Sequence, residues 1–196
     1  MAVNTDVSSE RHASRLRIAA WGTVAFLLML PLAAMQFTDE VAWTIGDFIF
    51  AALMLGSVGL ALELTVRTSR NLAFRAGVAI LLAVPFMSLW FTGAVGVIGD
   101  EDNPANLVFL VTPLFALGAA ALARFRAAGL ARAMAATAVA QLVAGGIGVA
   151  AAMNAPTPVF SPEALVIIAF FTAMWLVAGA LFRAAARQHA AGDAAR

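Results

Sequence analysis

Long apolar runs alternate with short polar segments along the whole chain. A hydrocarbon core about 30 Å thick is crossed by roughly 17–25 apolar residues in an α-helix. Six runs meet that length: Ile18–Gln36, Thr44–Leu64, Ala76–Ile98, Leu107–Ala123, Ala133–Met153 and Ala164–Phe182. The connections FTDEVAW, TVRTSRNLAFR, GDEDNPAN, RFRAAGLAR and NAPTPVFSPE are polar and too short to hold a soluble domain. The pattern predicts an all-α membrane protein with six transmembrane helices as three successive hairpins. A cytoplasmic N-terminal tail covers 1–17, the six-helix domain 18–182, and a cytoplasmic C-terminal tail 183–196. The first apolar run exceeds the roughly 7–15 residues of a signal-peptide core, so it reads as a retained helix.

Charge orients these spans. The twelve basic residues are all arginines, and a six-span arrangement puts every one of them on the same side. They occupy the N-terminal tail (Arg11, Arg15, Arg17), the second connection (Arg67, Arg70, Arg75), the fourth (Arg124, Arg126, Arg132) and the C-terminal tail (Arg183, Arg187, Arg196). The opposite side holds Asp39, Glu40, Asp100, Glu101, Asp102 and Glu163 without a basic residue. Arginine marks the cytoplasmic side of membrane proteins, so both termini are expected inside. Arg17, Arg75 and Arg132 open the odd spans at nearly equal intervals, and each even span begins with a helix-start signal: Thr38-Asp39, Asp102-Asn103-Pro104 and Ser161-Pro162-Glu163. Duplication of a hairpin and mere regularity of short-loop hairpins explain this spacing equally well.

Composition agrees and removes several chemistries. The chain is 63% hydrophobic and 12% charged, where a soluble domain carries roughly 25% charged residues. There is no cysteine, so disulfides, thiolate nucleophiles and zinc–thiolate sites are excluded. Without lysine no Schiff base forms, and the only histidines, His12 and His189, lie in the tails, so no histidine pair holds a haem within the bilayer.

Ionisable and polar residues inside spans are candidate functional positions. Asp47 and Glu63 share one span but lie about 24 Å apart along it, too far to act as one dyad. Asp47 follows Thr44 at the spacing of a capping box, and Glu63 precedes Arg67 by one turn as an ion pair. These structural readings are preferred to a proton or ion relay. Glu63 shares a face with Ala52, Gly56 and Gly59, a strip suited to close helix packing. A second packing face runs through Ala140, Ala144, Gly148 and Ala152, beside which Thr137 and Gln141 are expected to hydrogen-bond across helices. The segment carrying Asp100, Glu101, Asp102 and Asn103 offers hard oxygen ligands for calcium or magnesium, yet it lacks the spacing of an EF-hand loop. Read as a cap and first turn ahead of Pro104, it needs no metal, and that reading is preferred. Pro31, Pro85 and Pro113 interrupt spans one, three and four, as in ordinary membrane helices or in the broken helices of transporters.

The segments FTDEVAWTIGDFIFA (37–51) and GVIGDEDNPANLVF (96–109) resemble those of small, uncharacterised multi-pass proteins of bacterial inner membranes. That resemblance implies a bacterial plasma membrane and carries over neither an activity nor a site residue.

No nucleophile–base pair, acid cluster or in-membrane histidine is present in the spans, so catalysis is not expected. A non-catalytic accessory or structural membrane component is the preferred function. The alternative is a small transporter or channel for an ion or small solute, whose pathway could be lined by Ser57, Ser88, Thr92, Thr112 and Thr172. The expected partners are the lipid bilayer and a second copy or another membrane protein. Neither a cofactor nor nucleic acid is expected.

Overall fold

The computed structural model describes residues 18, 21–38, 41–99, 102–158 and 162–194, and every regular element among them is helical. In chain order these are α1 (Trp21–Ala34), α2 (Ile45–Thr68), α3 (Leu72–Trp90), α4 (Val111–Leu122), α5 (Ala127–Met153) and α6 (Pro162–Ala194). A π-helical turn, Phe91–Val95, prolongs α3, and a 3-10 segment, Pro104–Leu110, leads into α4. Five helical stretches are long and apolar enough to cross a membrane, which points to a lipid bilayer as their environment. The described part of α1 is shorter. Its last turn tightens after Ala34, where the amides of Gln36 and Phe37 bond to Ala33 O and Ala34 O three residues back.

The chain divides into two compact units, Met1–Thr68 and Ser69–Arg196, where hydropathy alone suggests a single domain. In the first, α2 starts at a reciprocal capping box. Asp47 Oδ2 accepts from the Thr44 amide and hydroxyl at 2.7 and 2.8 Å, and Thr44 Oγ1 accepts from the Asp47 amide at 3.4 Å. Helix α1 meets α2 through Trp21. A Cβ built on Gly59 would lie 3.5 Å from its ring. At Gly56 the same atom meets nothing within 4 Å, so the strip packs at Gly59 and is open one turn earlier.

The second unit is an antiparallel bundle in which α5 and α6 form the central pair. Gly145 faces Ile168, and Gly179 faces Ala131 and Met134. A Cβ at Gly145 would come within 2.7 Å of Ile168, so glycine permits this approach. Helix α3 lies on α6 through Gly77 against Phe182 and through the edge-to-face pairs Phe74–Phe182 and Phe91–Phe171. Helix α4 and the 3-10 segment ahead of it cover α5, with Gly148 beside Val108 of that segment and Ile98 of the loop before it, and Gly129 beside Ala123. Ala144 and Gly148 are both buried along this face of α5.

Prolines shape two of these helices differently. Pro85 sits inside α3, six residues before the start of the π-helical turn. Pro113 lies in the first turn of α4, where its missing amide costs no intrahelical bond. The 3-10 geometry over Pro104–Leu110 ends just ahead of it. Thr137 also departs from expectation. Its hydroxyl donates to Ala133 O in its own helix at 2.9 Å, not to a neighbouring helix, the back-bonding open to any threonine on a helix. Beyond Phe182, the expected tail continues as helix to Ala194, since RAAARQHAAGDA is rich in strong helix formers.

Candidate functional site

Antiparallel packing gathers chemistry at the two ends of the second unit. One end carries Asp102 and Asn103, ahead of the 3-10 segment that leads into α4, and Glu163, where α6 begins. At the other lie Arg70 and Arg75 at the start of α3, Arg124, Arg126 and Arg132 around the α4–α5 corner, and Arg183 and Arg187 on α6. A 2.7 Å hydrogen bond from Asn71 Nδ2 to Gln188 Oε1 ties the start of α3 to the far part of α6.

At the acidic end, the chain leaves the π-helical turn through Gly96 and Gly99, whose φ angles of 76° and 69° favour glycine. The segment between them has no helical hydrogen bonds, so its buried amides need another partner. Asn106, 1% exposed, supplies it. Its Oδ1 accepts from the amides of Val97 and Ile98 at 2.9 and 2.7 Å, and its Nδ2 donates to Ile98 O at 3.4 Å. The clamp draws Val97 and Ile98 into a cluster with Phe109, Ala152, Ala164 and Ile168. The sequence reading missed Asn106. Its only signal is an asparagine following a helix start, where the cap is already supplied by Asn103.

Beside this clamp opens a cavity of about 350 Å³, walled by Leu89, Thr92, Leu107 and Leu110 and reached by Asp102 and Asn103. Asn103 accepts from the Ala105 amide at 3.0 Å and so acts as the cap ahead of Pro104, while Asp102 is exposed. Asp100 and Glu101 lie outside the described residues. Among the described residues no three histidine or acidic side chains come together as a metal site would need. Thr92 is 5% exposed, and its hydroxyl, like those of Thr112 and the Trp175 indole N–H, has no hydrogen-bond partner among the described residues.

The remaining candidates occupy separate places. Gln141 is buried on α5. In the first unit, Glu63 accepts from Trp21 Nε1 at 3.0 Å on Oε2 and from the Arg67 guanidinium on Oε1. That joins α1 to α2 as well as spanning one turn of α2. Asp47 is occupied in the capping box at the opposite end of the helix. No protein-family model, curated protein or solved structure matches the chain.

At the basic end, α4 terminates in a Schellman turn. The Phe125 amide reaches back to Ala120 O at 3.3 Å and the Arg124 amide to Ala121 O at 2.9 Å. This places Arg124 at the left-handed position normally filled by glycine. Arg124 and Phe125 have φ of 50° and 54°, a backbone region costing roughly 1–2 kcal/mol for a residue with a Cβ. The corner closes tightly, because a Cβ on Gly129 would approach that of Ala123 to 2.9 Å.

Proposed function

We propose that this chain is a six-span protein of the bacterial plasma membrane, with both termini cytoplasmic, acting as a non-catalytic accessory or structural component. The observation carrying this reading is the filled interior of the second unit. Trp175, Phe182, Leu81, Leu130 and Met134 are fully enclosed where α3, α5 and α6 meet. Two of the hydroxyls that could have lined a solute path, that of Thr172 here and that of Ser57 in the first unit, are engaged by carbonyls of their own helices. A polar side chain that must line a pathway keeps its hydrogen-bonding groups available to the passing solute. These are turned inward to the backbone instead. Such a body offers its partners surfaces in place of a passage.

The orientation is supported by the segregation of arginines to one end of the second unit and of Asp102 and Glu163 to the other. The α1 span is supported by the apolar sequence from Ile18. A small transporter or channel is the second reading, favoured by the cavity at Thr92 and Asp102 and by the unpartnered hydroxyls of Thr92 and Thr112.

Two measurements test these readings. The chain has no cysteine, so single cysteines report topology without background. An impermeant thiol reagent should label positions 103 and 157 on spheroplasts and positions 69 and 128 only after lysis. Labelling of position 69 from outside would overturn the orientation. Purification in mild detergent with mass spectrometry of retained molecules separates the functions: a stoichiometric protein partner supports the accessory role, and a retained solute supports transport.

A further inference from the structure

The α4–α5 corner holds a strained backbone in order to display side chains that its own packing does not use. Glycine at Arg124 would satisfy the Schellman turn without steric cost, yet the position carries a guanidinium, and Phe125 repeats the left-handed conformation beside it. Neither side chain is drawn into the bundle. Leu122 is 87% exposed, Phe125 58%, and Arg124 and Arg126, its neighbours in sequence, are exposed as well. The corner therefore presents two apolar groups and two planar, permanently charged forks within five residues.

Arg70, Arg75, Arg132, Arg183 and Arg187 lie at the same end of the unit. The only acid described at that end is Asp193, near the tip of α6. The partner that fits must be anionic, must accept bidentate hydrogen bonds from guanidinium, and must offer apolar surface within a few ångströms of its charge. A phospholipid headgroup in the adjoining leaflet has all three properties, whereas a soluble anion lacks the third.

We propose that the α4–α5 corner is a binding site for an anionic phospholipid. Arg124 and Arg126 hold the phosphate oxygens, and Leu122 and Phe125 enter the boundary between headgroup and acyl chain. The inference rests on the membrane reading above, and its test is arranged so that the two fail separately. A protein that stays dispersed and folded without detergent defeats the membrane reading. The lipid site is tested on the full-length protein in detergent, by thermal unfolding with added phosphatidylglycerol, phosphatidylcholine, or inorganic phosphate at matched phosphorus.

Phosphatidylglycerol should raise the unfolding temperature by several degrees, and the other two should leave it unchanged. Arg124→Gly should raise the unfolding temperature in phosphatidylcholine, because the strained position is relieved, while reducing the response to phosphatidylglycerol. Combined Arg124→Gly and Arg126→Gln should abolish that response. Phe125→Ala should weaken it with both arginines in place. A second double variant, Arg183→Gln with Arg187→Gln, removes equal charge away from the corner and should retain most of the response. An equal loss in the two double variants would show a diffuse charge effect and overturn the site. So would an undiminished response in the corner variant, or an equal stabilisation by phosphate alone.

Discussion

The two ends of the second unit reverse the chain by opposite means. At the acidic end a side chain turns inward: buried Asn106 replaces missing backbone partners for Val97 and Ile98. At the basic end the backbone satisfies itself. The Schellman turn pairs Phe125 with Ala120 and Arg124 with Ala121, which leaves the side chains of Leu122, Arg124 and Phe125 exposed. One loop thus spends a polar residue to remain ordered, and the other accepts backbone strain to keep its polar residues available. The lesson is that loop composition alone does not tell which loop is a binding surface. GDEDNPAN is the more chemically suggestive sequence, but part of its polarity is consumed in holding the loop together.

This contrast can be broken by substitution. Asn106→Ala should have the largest effect, because two buried amides lose their acceptor at about 1–3 kcal/mol each, or about 2–6 kcal/mol in all. Thermal or denaturant unfolding in detergent measures it, and a loss near zero would mean that the acidic-end loop is held by something other than this clamp. Gly129→Ala tests the tightness of the basic corner. Overpacking against Ala123 costs about 1–3 kcal/mol and exceeds the roughly 1 kcal/mol gained from helix propensity. Gly118→Ala is its control, since a Cβ there meets nothing within 4 Å, and it should stabilise the protein. Asn71→Ala should be mildest, at about 1 kcal/mol, through loss of the α3 cap. If its cost greatly exceeds a cap, the Asn71–Gln188 bond contributes to holding α6 against α3, and the basic end is less self-sufficient than the comparison holds.

Much of the helical layout was legible because membrane helices announce themselves through run length, and their ends through charge. Local pairs were equally readable: Thr44 with Asp47, Glu63 with Arg67, and Asn103 ahead of Pro104 each lie within four residues. What escaped depends on distance in sequence or on competition between local geometries. Trp21 and Glu63 are brought together only when α1 folds onto α2. The π-helical turn at Phe91–Val95 has no signature in hydropathy, since adding a residue to a helical turn leaves its composition unchanged. Arg124 escaped for the opposite reason: the rule that helices end in glycine hides a Schellman turn built on arginine. The helical character of 183–194 was available from its alanine content but was masked by reading polarity as a tail.

Helix α6 also has a mechanical aspect. Its 33 residues make a rod about 50 Å long, while a hydrocarbon core is only about 30 Å thick. The surplus, close to 20 Å, is a stiff arm. When a bilayer thins or thickens, packed helices adjust by tilting, and a change of roughly 10° would swing such an arm through about 3 Å. The bond between Asn71 and Gln188 braces it against the start of α3. Anything grasping Gln188–Ala194 would therefore sense membrane thickness as a displacement of its attachment point.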